Sequence, residues 1–225
     1  MIISDEHKFI FVHVPKTAGD SVTRALDPYA TPLKRTLWKS IRRRLPLKDR
    51  VDTIYLRKHD PASRAIARLG RDVWDSYRSF AVVRNPFDHA VSHYEFMKQF
   101  RIRAVAEKVG AMSFSEYLDY RAKPPFWNDT FFARLPNQSF FVTDATGQIA
   151  VNRLVHFERI ATDFPDACAE LGLNGVELPH VNKTKSKSGK RPFQDYYDEG
   201  SLQQVRALYA DDFRLLGYDT TLPDV

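Results

Sequence analysis

The sequence predicts an α/β fold with a central, mostly parallel sheet flanked by helices on both faces, and three observations lead there. The first is Phe9-Ile10-Phe11-Val12-His13-Val14, an apolar run without breakers that passes through a short Pro15-Lys16-Thr17-Ala18-Gly19 turn into the helix-compatible stretch from Ser21 to Leu26. The second repeats this grammar: Phe80-Ala81-Val82-Val83 gives way to Arg84, then Asn85 as N-cap, Pro86 at the first helical position, and a helix carrying Ser92. The third is the alternation of strands and helices along the chain, which implies parallel strands joined by helical crossovers.

Between these two units, Leu33, Leu37, Ile41 and Leu45 recur at steps of four with Trp38 beside them. Lys34, Arg35, Lys39 and Arg42 to Arg44 fill the other faces, so the stretch reads as a basic amphipathic helix ended by Pro46. Three roles fit it: a solvated helix packed through its apolar stripe, a surface for an anionic acceptor, or a helix in peripheral contact with a membrane. Val51 to Leu56 reads as a strand, and Asp60 as N-cap with Pro61 opens a helix that stops at Gly70. His59 then falls outside the carboxyl end of a strand, where open α/β sheets bind ligands; a loop histidine bonded to nearby backbone is the alternative. His89 and His93 have metal-compatible spacing, but Ala90 replaces the Glu of H-E-x-x-H and no third ligand is evident, so they read as helix-face residues.

Ser113-Phe114-Ser115-Glu116 is a capping box opening a helix to about Arg121, broken by Lys123-Pro124-Pro125. Arg153 to Phe157 reads as a strand and Glu158 to Leu171 as a helix stopped by Gly172. The cationic stretch from His180 to Arg191 lacks an apolar pattern and reads either as a surface loop or as a flap over an anionic ligand. One last helix, apolar through Leu202, Val205, Leu208 and Leu215, runs from about Glu199 to Leu216 and stops at Gly217. Without repeats or an interdomain linker, residues 1–225 read as a single domain.

Composition narrows the class further. With 43% hydrophobic and 28% charged residues the chain is globular, and its one cysteine, Cys168, leaves no intrachain disulfide and suits a cytoplasmic setting. No apolar run is long enough to cross a membrane, and no apolar signal region precedes the first strand. The net charge of +6 is local: eight basic residues against one acid lie between Lys34 and Arg50, and five against none between Lys183 and Arg191. Such clusters suit anionic ligands at defined places better than nucleic-acid coating.

The strand, tight turn and helix around Lys16 read as a phosphate site by their own physics, with a buried edge strand followed by an ordinary turn and an exposed Lys as the alternative. The first N–H groups of a helix have no internal partner and its dipole is positive there. Gly19 permits close backbone approach, Thr17 and Ser21 bring hydroxyls, and Lys16 brings a full charge. The nucleotide-triphosphate P-loop needs G-x-x-x-x-G-K-[ST], whereas here the Lys precedes the Gly and Asp20 stands where that motif has its Lys. Arg84 and Ser92, at the second strand-to-helix junction, are spaced to converge on another phosphate.

The pair V-P-K-T-A-G-x-S and V-R-N-P-x-x-x-x-x-S-x-Y resembles the two nucleotide-binding signatures of the sulfotransferases that use 3'-phosphoadenosine 5'-phosphosulfate (PAPS), in particular their carbohydrate-modifying branch. Similarity extends through His156-Phe157-Glu158 to the closing Tyr209-Ala210-Asp211-Asp212-Phe213-x-x-x-Gly217-Tyr218. The resemblance implies a P-loop-like fold. It assigns Pro15, Lys16, Thr17, Ala18, Gly19, Asp20 and Ser21 to the 5'-phosphosulfate and Arg84 and Ser92 to the 3'-phosphate. It adds Lys183 and Lys185 as phosphate contacts in a late basic loop, and places Trp127 and Asn128 near the acceptor. Lys16 and His59 become the catalytic cation and general base, in a scheme that requires no metal, with Glu158 and His156 as the next candidates for the base. The implied acceptor is a hydroxyl-bearing carbohydrate. Family members of the secretory pathway usually carry a membrane anchor before the catalytic domain, so the resemblance implies a bacterial-type cytoplasmic enzyme before a trimmed secretory-pathway domain. A P-loop-type kinase and a non-catalytic polyanion-binding protein are the rival classes.

Overall fold

The computed structural model describes residues 1–32, 36–42 (residue 42 through its backbone), 45, 47–123, 137–179 and 191–224. Two compact units divide them: Met1–Val83 with Gln138–Thr184, and Arg84–Asn137 with Lys185–Val225.

The first unit is built on a four-stranded sheet in the order β1 (Ile2–Ser4), β2 (Phe9–Val12), β3 (Arg78–Val83), β4 (Arg153–His156). β1 runs antiparallel to β2, whereas β2, β3 and β4 are parallel, with Phe11 opposite Phe80 and Val82 opposite Val155. Alternation along each strand sends side chains to both faces. Phe9, Phe11, Phe80, Val82 and Val155 pack with Val22 and Leu26 of α1 (Gly19–Leu26) and with Phe164 and Cys168 of α9 (Ile160–Glu170). Ile10, Val12, Ala81 and Val83 point the other way and are equally buried, so both faces of the sheet are covered. The remaining helices of this unit are α2 (Leu37–Arg42), α3 (Ala62–Leu69), α4 (Arg71–Asp75) and α8 (Gln138–Val142). Trp74 of α4 is fully buried and donates its indole N–H to the Ala150 carbonyl at 2.9 Å.

Three sequence expectations change here. Val51 to Leu56 is not a strand: the N–H groups of Thr53 and Ile54 close a turn onto the Arg50 carbonyl, and only Ile54 of the run is buried. The helix expected after Asp60 forms one residue later with Pro61 as N-cap, because the Asp60 carboxylate instead accepts the Arg57 N–H at 2.7 Å. In the basic stretch the described helix is only Leu37–Arg42, and its apolar residues face solvent.

The second unit is helical: α5 (Pro86–Met97), α6 (Arg103–Gly110), α7 (Phe114–Ala122), α10 (Glu199–Leu208) and α11 (Ala210–Leu216). Its core is aromatic, with Phe87, Tyr94, Tyr117, Tyr209 and Phe213 packed around Met97, Leu118 and Val205. Asn85 caps α5 by accepting the Phe87 N–H, and Ser113 and Glu116 form the expected capping box of α7. The single C-terminal helix of the sequence reading is instead two, broken at Tyr209 (φ −108°, ψ 21°), whose ring is buried beneath Arg121 and His89. His89 and His93 lie inside this core, their Nδ1 atoms bonded to Tyr209 and Tyr117.

Candidate active site

Because β2 and β3 are parallel, both end at one edge of the sheet. The chain leaves β2 through Pro15–Ala18 into α1, and leaves β3 at Val83 directly into Arg84.

The turn after β2 has an unusual backbone. Lys16 (φ +67°) and Ala18 (φ +62°) both occupy the left-handed region, while Thr17 between them and Gly19 after them do not. A left-handed non-glycine residue costs on the order of 1–2 kcal/mol, so two in three residues persist only because the surroundings dictate them. Alternating handedness turns successive backbone N–H groups toward one side, which makes a concavity for an anion. The turn leads into the positive end of α1, where Ala18 is the N-cap, and its first left-handed residue brings the ammonium of Lys16. Thr17 is buried and donates its hydroxyl proton to the Val14 carbonyl at 3.0 Å, so this hydroxyl locks the turn. Ser21 is buried in the first turn of α1, its N–H bonded to the Ala18 carbonyl, and Asp20 is exposed and ion-paired with Lys58.

His13, just before the turn, organises the rest. It is buried, its Nδ1 lies 3.2 Å from the Thr23 hydroxyl, and burial followed by the nearby charge of His59 lowers its pKa to about 2. The ring is therefore neutral across the working range. A Cβ on Gly19 would lie 2.2 Å from His13 Nε2, so glycine is required there by space rather than by φ. Gly19→Ala is expected to cost about 1–3 kcal/mol through this overlap and to lower the melting temperature by several degrees in a thermal unfolding scan. An unchanged midpoint would mean that the His13 ring moves aside freely.

His59 packs edge-on against His13, with ring centroids 4.5 Å apart, and its Nδ1 lies 3.1 Å from the His13 carbonyl. A carbonyl only accepts, so Nδ1 carries the proton and Nε2 presents a lone pair. Desolvation holds the His59 pKa below the ordinary 6.5, with the bond to His13 pulling the other way. A neutral imidazole with Nε2 as the basic atom thus belongs to the same unit as the Lys16 turn.

A protein-family model described as the sulfotransferase family matches residues 1–219. The chain belongs to that family. Its chemistry is accordingly sulfuryl transfer, and its fold is P-loop-like. No match was found among curated proteins or among solved structures.

Within this sulfotransferase the structure brings Pro15 to Ser21, His13 and His59 into one unit. Arg84 and Ser92 belong to the other. Arg84 Nε and Nη2 grip the Asp88 carboxylate at 2.6 and 2.7 Å, and Ser92 follows one turn beyond Asp88 on the same side of α5. Lys183, Lys185, Trp127 and Asn128 lie outside the described residues. His156 and Glu158 sit at the end of β4 and in the short helical turn after it, and His156 Nδ1 is 3.7 Å from Asp163.

Sequence reasoning missed His13 and Asp88. The second was readable in principle, since Arg84 and Asp88 stand at i, i+4 across the start of a helix. Nothing local marks His13, because its value lies in contacts with Gly19, Thr23 and His59.

Proposed function

We propose that this sulfotransferase moves the sulfuryl group of PAPS to a hydroxyl of a carbohydrate acceptor. The observation that carries the reading is the alternating backbone of Lys16 to Gly19 opening on α1, a cradle suited to the 5'-phosphosulfate. Its N–H groups hold the non-reacting oxygens, while Lys16 neutralises charge that gathers on the bridging oxygen as its bond to sulfur breaks. His59 Nε2 takes the proton of the incoming hydroxyl, and the His13 carbonyl keeps His59 in the tautomer that can accept it. In-line transfer of this kind needs positioning and charge stabilisation more than covalent chemistry, by analogy with phosphoryl transfer.

Arg84 and Ser92 hold the 3'-phosphate in this reading, and Asp88 keeps the Arg84 guanidinium oriented. Losing a charge-assisted bond costs about 1.5–3 kcal/mol, so Arg84→Ala is expected to raise the donor KM roughly ten- to hundred-fold. AMP, which lacks the 3'-phosphate, should bind wild type and variant alike. Equal weakening of AMP and adenosine 3',5'-bisphosphate would take the 3'-phosphate away from Arg84.

Carbohydrate is favoured as acceptor by the likeness of the two motifs to the carbohydrate-modifying branch. The test is calorimetric comparison of adenosine 3',5'-bisphosphate with AMP and ATP, followed by an acceptor screen with radiolabelled donor. Tight binding of the bisphosphate and label transfer to a glycan hydroxyl are expected. Preference for ATP would replace this reading with the kinase.

A further inference from the structure

We infer that the segment around α2 docks on the surface of an anionic lipid membrane. Among the described residues, nine large apolar side chains are exposed, and five of them fall between Leu37 and Leu47. The other four are scattered, as on most soluble surfaces. Leu37 is 81% and Trp38 64% exposed, with Ile41, Leu45 and Leu47 completing the group. A concentration of this kind marks an interaction surface.

Leu37 and Ile41 lie one turn apart on α2 with Trp38 beside them, so the apolar residues share one side of the helix. The segment is fastened from below. Buried Arg68 of α3 bonds the Leu45 carbonyl and the Asp49 carboxylate, and the Asp49 N–H returns a bond to the Arg68 carbonyl at 2.8 Å. This clasp fixes the base of the segment on the first unit while Leu37 and Trp38 stay in solvent.

Charge identifies the occupant. From Lys34 to Lys48 the sequence carries seven basic residues and no acid. A polyanion or acidic peptide would engage the cations and leave Leu37, Trp38 and Ile41 in water, and a purely apolar partner would have no use for the charge. An anionic lipid surface satisfies both, because acyl chains take the apolar side and headgroups take the cations, with tryptophan suited to the boundary. No helix among the described residues is long and apolar enough to span a bilayer, so the contact lies on the surface.

The test is sedimentation of the full chain with vesicles of phosphatidylcholine alone and of an equal mixture of phosphatidylcholine and phosphatidylglycerol. The protein is expected to pellet with the mixed vesicles at low salt, to be released as salt rises, and to shift its tryptophan emission to the blue. Trp38→Glu with Ile41→Glu should weaken partitioning at least roughly ten-fold. Those side chains are exposed, so the double variant should keep the wild-type melting temperature, which separates lost docking from lost folding. Failure to pellet with the mixed vesicles overturns the inference. So does undiminished pelleting of the double variant, which would reduce the segment to a polyanion site, and so does capture by an acidic peptide without any vesicle binding.

Discussion

Lys16→Ala is expected to lower kcat by about 10²–10³-fold while changing the affinity for the donor far less. The split follows from where charge moves. In the bound donor the bridging oxygen is nearly neutral, and it gathers negative charge only as the bond to sulfur lengthens, so a cation placed there acts chiefly on the transition state. In the proposed site the ground-state anion has other holders, since the backbone from Lys16 to Gly19 and the positive end of α1 remain when the ammonium is removed. Single-turnover rates and donor binding measured in the absence of acceptor separate the two effects. Equal losses in binding and turnover would make Lys16 an ordinary phosphate ligand, and near-normal turnover would remove it from the chemistry. Lys16→Arg is the informative companion, since it keeps the charge but replaces a compact ammonium by a planar fork.

What the sequence revealed about this site, and what it hid, divides along local and non-local lines. Asn85 with Pro86, Ser113 with Glu116, and Gly217 announce helix ends within a few residues, and all three appear where the sequence places them. The apolar run of β2 is equally legible because burial on both faces demands it. Val51 to Leu56 has strand-like composition, yet a strand exists only where a partner offers a ladder; beside β2 one place is taken by β3 and the other by Ile2–Ser4, a run too short for any periodicity to betray. The break at Tyr209 interrupts an apolar pattern that runs on without pause, because the buried ring and its bond to Arg121 outweigh helix continuity. In the candidate site the residue types of the Lys16 turn were readable, but its handedness was not. Left-handed Lys and Ala contradict local preference, and a contradiction of that kind is expected where a backbone is shaped for a ligand.

His59→Ala is expected to lower kcat by about 10²–10⁴-fold and to remove the acid limb of its pH profile. The direction follows from the proposed role, in which the neutral ring is the base: as pH falls through the His59 pKa the ring gains a proton and turnover is lost. Desolvation holds that pKa below 6.5, so the wild-type limb should lie below the ordinary imidazole value and the enzyme should be fully active at neutrality. His13 cannot supply the limb, because its own pKa near 2 keeps it neutral throughout. It does bear on stability. A histidine buried neutral in the folded state and free to charge when unfolded makes the unfolded chain bind more protons, so stability is lost as pH falls below 6.5 toward the folded value. Circular dichroism at each pH, and recovery of rate on return to neutrality, separate that loss from titration of the base. Because the His13 carbonyl is backbone, His13→Ala leaves the His59 tautomer bond available and should retain the limb, whereas His59→Ala should not. A limb that survives in His59→Ala would move the base to His156 or Glu158, and replacing each in turn would show which of them inherits it.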